Sequence, residues 1–287
     1  MASRIPPLLD PYLRLPPEAS LVLLTGVLGS TTNWLVQRYL QRLLAASAPP
    51  PEDEAAAVVL ASFLRGHAFW RDGAARLGVD LDALAARGRF VFVDGLTRLF
   101  RDAAPSGAAI PPPSASELPA AAGPTAQRRV LSAPTLQRLR RELDDAVAQV
   151  RRTAPDRPVV LVADQLDLLL AASGDEISSA ALRETLLSVR EGVHSCVVTL
   201  AADEPLMAAQ TTSLEQRHAA FAVALAHDAH LVVSLRGLDT GAARDVSGVL
   251  RVTPGGSRDD ADGEVEEREL LYFVASDGGL RVSERSR

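Results

Sequence analysis

Two glycines and three hydroxyl side chains near the start of the chain have the types and spacing of a phosphate-binding loop. Residues 20–39 read SLVLLTGVLGSTTNWLVQRY, and the residues in question are Gly26, Gly29, Ser30, Thr31 and Thr32. Glycines allow a tight turn, and hydroxyl groups at a helix start accept hydrogen bonds from free N–H groups. The apolar run before the turn predicts a buried strand, so the segment has the strand, loop and helix layout of a Walker A motif.

The loop lacks the lysine on which phosphate chemistry depends. A Walker A motif, G-x-x-x-x-G-K-[ST], uses that lysine to reach the β and γ phosphates. The chain has no lysine, and all 30 of its Lys and Arg residues are arginine. If Thr25 takes the first glycine position, Thr31 stands at the lysine; if Gly26 does, Thr32 stands there. We predict a degenerate nucleotide loop, and the alternative is a helix-capping turn in an ordinary Rossmann-like domain.

A second candidate for nucleotide chemistry is Asp164, which ends the apolar run PVVLVAD. In a Walker B strand, an aspartate at the carboxyl end orders the magnesium shell. Asp94 ends a similar run. Strand-end aspartates also cap turns, and Asp164 has no lysine with which to act. We therefore interpret Asp164 as a Walker B-like residue without a predicted reaction.

Metal and nucleophile chemistry find little support in the residue types. His227 and His230 have suggestive spacing, but they lie where a helix gives way to a strand, and we expect no metal site. The single cysteine, Cys196, excludes an internal disulfide and is interpreted as a small buried side chain. No G-x-S-x-G motif is present. We predict no catalytic residue, no metal and no cofactor.

Hydrophobic periodicity predicts an α/β fold that positions these residues. The predicted strands are 21–25, 57–63, 89–95, 158–170 with its apolar run ending at Asp164, 195–200 and 230–235. The predicted helices are 32–46, 66–77, 81–86, 134–152, 177–189 and 215–226, with Phe69, Trp70 and Leu77 facing inward in the second. Short strands at 246–252, 269–275 and 280–283 follow. This order predicts a mostly parallel sheet with helices on both faces, ending in an antiparallel β meander.

Composition predicts one domain with two interruptions. Residues 1–19 contain five prolines and are expected to form an extended arm, and residues 20–287 are expected to form a single domain. In 103–127, 20 of 25 residues are Ala, Pro, Ser or Gly, which predicts a disordered insertion. Residues 257–269 hold seven acidic and two basic side chains, which predicts a solvated loop.

Charge and hydropathy limit the class of partner. The formal net charge of −6 argues against autonomous nucleic-acid binding, which usually requires a basic surface. No stretch approaches the roughly 18 apolar residues of a membrane span, and the proline-rich amino terminus does not have the pattern of a secretory signal. We expect a cytoplasmic protein, with the nucleus as a further compartment.

A glycine-punctuated segment joins the last parallel strand to the meander and carries Arg236, Arg244 and Asp245. At such an edge these charges can pair within the chain or reach a neighbouring subunit, and the sequence leaves both alternatives open. We name the three residues as a candidate subunit interface.

Three segments carry a resemblance to a known family. SLVLLTGVLGSTTNWLVQRYL, RLGVDLDALAARGRFVFVDGL and SLRGLDTGAARDVSGVLRVT, in this order, resemble the Elongator complex protein 6 family, most of all its fungal members. The similarity runs from about residue 20 to 252 and into the meander, without the 103–127 insertion. These motifs are not catalytic signatures, but their order makes coincidence improbable.

The resemblance implies a RecA-like fold that has lost its nucleotide chemistry and is not an enzyme. Members of the family assemble with the fourth and fifth Elongator subunits into a hetero-hexameric ring, which docks on the catalytic subcomplex, binds tRNA and supports modification of the wobble uridine. By analogy with RecA-like rings, the segments after the fourth and fifth strands face the central opening. Arg183 and Arg217, just beyond those segments, are the candidate tRNA contacts. Two rivals are an active P-loop-like ATPase with an arginine in place of the lysine, and a RecA-type recombinase paralogue that binds DNA.

Overall fold

The computed structural model describes residues 5–44, 55–99, 128–238, 241, 243–257 and 266–285. The strands in these ranges are β1 (Ser20–Gly26), β2 (Ala57–Ser62), β3 (Phe90–Asp94), β4 (Arg128–Val130), β5 (Val159–Asp164), β6 (Ser195–Ala201), β7 (Leu231–Arg236), β8 (Gly248–Pro254), β9 (Arg268–Val274) and β10 (Leu280–Glu284). The α-helices are α1 (Asp10–Leu13), α2 (Asn33–Leu44), α3 (His67–Arg76), α4 (Leu81–Ala86), α5 (Leu136–Thr153), α6 (Leu168–Ala172), α7 (Ser179–Arg190) and α8 (Ser213–Asp228). A π-helical turn, Pro205–Ala209, precedes α8.

All of these strands belong to one sheet, in the order β10-β9-β8-β7-β1-β6-β5-β2-β3-β4. Pairing is parallel from β7 through β1 to β4 and antiparallel from β7 to β10. The predicted mostly parallel sheet with a closing antiparallel meander is therefore confirmed. Since parallel strands point the same way, β1, β6, β5, β2 and β3 all end at one edge of the sheet, which we call the carboxyl edge.

Helices cover the sheet on both faces because alternate strand residues point to opposite sides. Leu21, Leu23 and Val59 pack in one core cluster with residues of α5, α7 and α8. Val22, Leu24 and Leu60 pack in the other cluster with residues of α2, α3 and α4. The central strands are buried on both sides, and this explains why each reads as a continuous apolar run.

Local signals mark where several helices begin. The Thr135 hydroxyl accepts a hydrogen bond from the Arg138 N–H at the start of α5, and the Asp80 carboxylate accepts one from the Ala83 N–H at the start of α4. At α8, Thr212 and Glu215 form a reciprocal capping box. The cap sets the residue at which α8 begins, after the π-helical turn that follows β6.

The amino-terminal arm differs from the extended segment that we predicted. A one-turn helix, α1, interrupts it, and Leu9 and Leu13 are buried beside α2. The Tyr39 hydroxyl donates a 2.6 Å hydrogen bond to the Tyr12 carbonyl. Pro11 suits the first turn of a helix, and burial of two leucines favours the compact arrangement.

The run after Asp164 is the clearest difference in secondary structure. The strand ends at Asp164, Gln165 has a left-handed backbone with φ of 56°, and α6 follows. Periodicity alone cannot decide whether a short apolar run, such as DLLL at 167–170, forms a strand or a helix. β4 was also not predicted, and Phe69, predicted to face inward, is 39% exposed on α3, whereas Trp70 and Leu77 are buried.

Two predicted segments lie wholly or partly outside the described residues. The insertion at 103–127 falls within the undescribed range 100–127, and most of the acidic loop at 257–269 falls within 258–265. The last two residues of that loop, Arg268 and Glu269, form the start of β9.

Candidate functional site

The degenerate loop between β1 and α2 is a tight turn that folds back on the end of its strand. The Ser30 N–H donates a 2.8 Å hydrogen bond to the Val27 carbonyl, and Gly29 has a φ of 87°. The Ser30 carbonyl oxygen lies 2.7 Å from the position that a Cβ on Gly26 would occupy. A phosphate loop aims its backbone N–H groups at an anion, whereas here the Ser30 N–H bonds within the turn.

A carboxylate from another part of the chain faces this turn. The Leu28 N–H donates a 2.7 Å hydrogen bond to the Asp203 carboxylate, which follows β6. An anion bound at the same N–H would lie beside a negative charge, and like charges repel. The turn therefore already holds an anionic group that belongs to the protein itself.

The three hydroxyl residues of the loop take different positions. Ser30 and Thr32 are buried, with exposed fractions of 3% and 2%, whereas Thr31 is exposed. Ser30 hydrogen-bonds the Tyr272 side chain in β9; burial raises the pKa of that phenol, and the bond with Ser30 opposes the rise. Two of the three hydroxyl groups thus pack into the protein instead of facing a ligand.

Asp164 is buried at the carboxyl edge and bonded on both of its oxygens. It accepts 2.7 Å and 3.1 Å hydrogen bonds from the hydroxyls of Ser62, at the end of β2, and Thr199, in β6. Burial raises the pKa of this carboxyl group, against the opposing effect of the two hydroxyls. The Walker B-like position is therefore a closed hydrogen-bonded cluster across three strands.

Asp94, at the end of β3, plays a similar structural part. Its carboxylate accepts hydrogen bonds from the Leu96 and Thr97 N–H groups and the Thr97 hydroxyl, and pairs with Arg128 of β4. Burial opposes ionisation, but these donors together hold the pKa of Asp94 below its usual value. The contact explains why β4 returns beside β3 after the long connection.

A buried pair that we did not predict lies behind the loop, where Asp167 and His218 meet. The His218 Nε2–H donates a 2.8 Å hydrogen bond to the Ala201 carbonyl, and its Nδ1 lies 3.6 Å from an Asp167 oxygen. The other Asp167 oxygen is buried without a hydrogen bond. Burial raises the pKa of Asp167 to about 6. No sequence signal links two residues so far apart.

The two arginines predicted to contact tRNA are both engaged within the chain. Arg183 of α7 forms a two-pronged ion pair with Asp228 of α8, at 2.5 Å and 2.6 Å. Arg217 of α8 donates to the carbonyls of Gly174 and Ile177, the latter at 2.9 Å. Arg183 remains 40% exposed, whereas only 16% of the Arg217 side chain is exposed.

The three candidate interface residues differ in their contacts within the chain. Arg236 lies 3.4 Å from Glu269 of β9, so it pairs within the meander. Arg244 and Asp245 are exposed and form no hydrogen bond or ion pair within the described residues. The structure therefore does not bring the three residues together as one cluster.

None of the helices in the described residues is both long and apolar enough to span a membrane. No group of three or more His, Cys, Asp or Glu side chains in the described ranges is placed to hold a metal ion.

The architecture defines a class of protein. A KaiC-like protein from the hyperthermophilic archaeon Pyrococcus horikoshii superposes with a TM-score of 0.54 at 14% sequence identity, covering 99% of this chain and 98% of that one. The chain is thus an α/β protein of the RecA-like fold. The sequence profile of the family described as Elongation complex protein 6 matches residues 17–277, and the chain belongs to this family. A search of curated protein sequences gives no match.

Proposed function

We propose that this chain is a non-catalytic RecA-like scaffold subunit of Elongator. In this proposal it joins the fourth and fifth subunits in a hetero-hexameric ring, which docks on the catalytic subcomplex and supports tRNA binding and wobble-uridine modification. Membership of the family supports the Elongator assignment. The single observation that carries the non-catalytic part is the hydrogen bond from the Leu28 N–H to the Asp203 carboxylate.

That hydrogen bond agrees with the other features of the site. A triphosphate brings several negative charges, which a P-loop meets with N–H groups and a lysine. Here a carboxylate faces the loop and the sequence has no lysine. Asp164, which would have to order magnesium, already accepts two hydroxyl hydrogen bonds. The RecA-like architecture then serves as a shape for assembly.

The assembly proposal is tested by co-expressing the chain with the fourth and fifth Elongator subunits and weighing the complex by native mass spectrometry. We expect a hexamer with two copies of each chain. Exchanging Arg244→Asp and Asp245→Arg should weaken it, because these exposed charges form no ion pair with any residue that the structure describes. The matched control exchanges Arg140 and Asp144, an exposed pair on α5. A chain that stays monomeric and binds neither partner subunit would contradict the proposal.

The rival ATPase is tested on the purified chain by calorimetry and phosphate release. We expect no magnesium-dependent binding of ATP and no turnover. Binding that requires both magnesium and the triphosphate, together with turnover that is lost in an Asp164→Ala variant, would replace the scaffold proposal with an enzyme. DNA binding without a preference for tRNA would instead support the recombinase rival.

A further inference from the structure

A cavity of about 350 Å³ lies on the outer side of the degenerate loop, between α2, α3 and the meander. Its walls include three aromatic side chains, Trp34, Phe69 and Tyr272. The whole chain has only 12 Phe, Trp and Tyr residues among 287, so three in one small cavity is a strong concentration. Trp34 and Tyr272 lie with their ring centroids 4.9 Å apart, and Phe69 is 39% exposed. Tyr272 is only 3% exposed, so Trp34 and Phe69 are the rings that offer surface to a ligand.

Two side-chain amides line the same cavity, those of Asn33 and Gln37. Neither forms a hydrogen bond within the described part of the chain. Gln37 packs so closely on Gly73 that a Cβ there would lie 2.0 Å from the amide nitrogen, which means that the close approach of α2 and α3 positions this amide. An amide can donate and accept at once, and this is the group that reads the edge of a base.

Two arginines lie near the cavity, one over the Phe69 ring and one in a neighbouring cavity. The Arg65 guanidinium is 5.4 Å from the centre of the Phe69 ring, and Arg76 lines the neighbouring cavity together with Gln37. Neither arginine has an ion pair within the described residues. Arg76 is exposed and Arg65 is half-buried, and cations beside an aromatic surface suit a ligand that combines a flat ring with phosphate.

We propose that this cavity binds a nucleobase, with its ring against Phe69 and Trp34 and its edge on the amides of Asn33 and Gln37. Aromatic stacking with edge hydrogen bonds is the way in which proteins hold unstacked bases. The base comes either from single-stranded RNA or from a free mononucleotide. A purely apolar partner surface would leave both amides without hydrogen bonds, and this favours the base. The site lies within this chain and does not depend on the proposed ring.

The test uses the tryptophan fluorescence of the purified full chain. Trp34 lines the cavity and Trp70 is fully buried, so a ligand in the cavity can contact only Trp34. A short single-stranded RNA, AMP and ribose 5-phosphate are titrated without magnesium. We expect saturable quenching by RNA or AMP and none by ribose 5-phosphate. ATP should act like AMP, because the cavity contacts the base; this separates the site from the triphosphate binding that would contradict the proposed function.

Variants test whether the base binds in this cavity, and a comparison of RNA with AMP identifies the source of the base. Phe69→Ala should weaken binding about tenfold, because one stacking ring is lost. Gln37→Ala should weaken it severalfold, and Val223→Ala, an exposed apolar residue on α8, should have no effect. Tighter binding of RNA than of AMP indicates an RNA base, and equal binding indicates a mononucleotide. Absent quenching, or Phe69→Ala that impairs assembly with the partner subunits but not base binding, overturns the proposal.

Discussion

The backbone N–H of Leu28 and the carboxylate of Asp203 are joined by a 2.7 Å hydrogen bond, although 175 residues separate them in the chain. Leu28 is at the tip of the β1–α2 turn, with its side chain 93% exposed. Asp203 lies within the short connection from β6 to the π-helical turn. The contact ties together two neighbouring connections at the carboxyl edge and places a negative charge beside the degenerate loop.

Removing this carboxylate should loosen the turn. Asp203→Ala leaves the Leu28 N–H without its acceptor, and hydrogen bonds to charged groups contribute about 1.5 kcal/mol or more. We expect faster hydrogen exchange at the Leu28 amide. The free energy of unfolding should fall by about 1 kcal/mol, which is below the usual value for a charged acceptor because the hydrogen bond is exposed to solvent. Glu204→Ala, which removes the adjacent exposed acid, is the control. Unchanged protection of the Leu28 amide in Asp203→Ala would show that the Asp203 carboxylate does not accept this hydrogen bond.

The two loop glycines are needed for different reasons. An added Cβ on Gly26 would meet the Ser30 carbonyl at 2.7 Å, whereas Gly29 has open space but a φ of 87°. Gly26→Ala should destabilise the protein by about 2 kcal/mol through backbone displacement. Gly29→Ala should lose about 1 kcal/mol, and Gly29→Asn less, because Asn tolerates the left-handed region. Urea unfolding of the three variants measures this order, and a Gly26→Ala variant that is no less stable than Gly29→Ala would contradict it.

Asp167 should make stability depend on pH. Its folded-state pKa of about 6 lies above the unfolded value of about 3.9, so the protonated form is favoured by folding. The contribution of Asp167 to the free energy of unfolding is fully present below about pH 4, and it is lost as the pH rises through about 6. Asp167→Asn should therefore stabilise the protein at pH 7.5, by up to about 3 kcal/mol, with no gain near pH 4.

Urea unfolding across this pH range measures the effect of Asp167→Asn. The control is Asp156→Asn, which changes an exposed carboxylate and should leave the pH profile unaltered. A gain that is equal at pH 4 and pH 7.5 would show that the carboxyl group of Asp167 does not titrate in this interval.

The ion pair between Arg183 and Asp228 allows a direct test of the tRNA contact. If Arg183 contacts a phosphate in the assembled ring, Arg183→Gln should weaken tRNA binding and reduce its salt slope by about 1. Asp228→Asn should strengthen binding, because it releases the guanidinium from its carboxylate. Filter binding at several salt concentrations measures both variants.

Arg217 requires a separate test, because it donates to the Gly174 and Ile177 carbonyls and is mostly buried, so its substitution can also affect stability. The stability of an Arg217→Glu variant has to be measured alongside its tRNA affinity. A ring that carries both Arg183→Glu and Arg217→Glu and binds tRNA with unchanged affinity would refute the proposed contacts.

The family and most of the fold could be predicted from the sequence. Central strands such as β1 and β5 are covered on both faces, so their apolar runs stand out without knowledge of their partners. The β4 strand and the helix α6 could not be predicted in this way. β4 has three residues and depends on its pairing with β3 and on the contact of Arg128 with Asp94. α6 lies in an apolar run that suits either a strand or a helix.

The sequence by itself determined that the loop has no lysine, because residue identity does not depend on the fold. Only the tertiary structure decided what the remaining loop groups bind. Asp164 meets Ser62 and Thr199 because β5 lies between β2 and β6, and the Leu28 N–H meets Asp203 because β1 lies beside β6. In a parallel sheet, crossover connections set which strand ends are neighbours, and that order is not encoded in the spacing of any local motif.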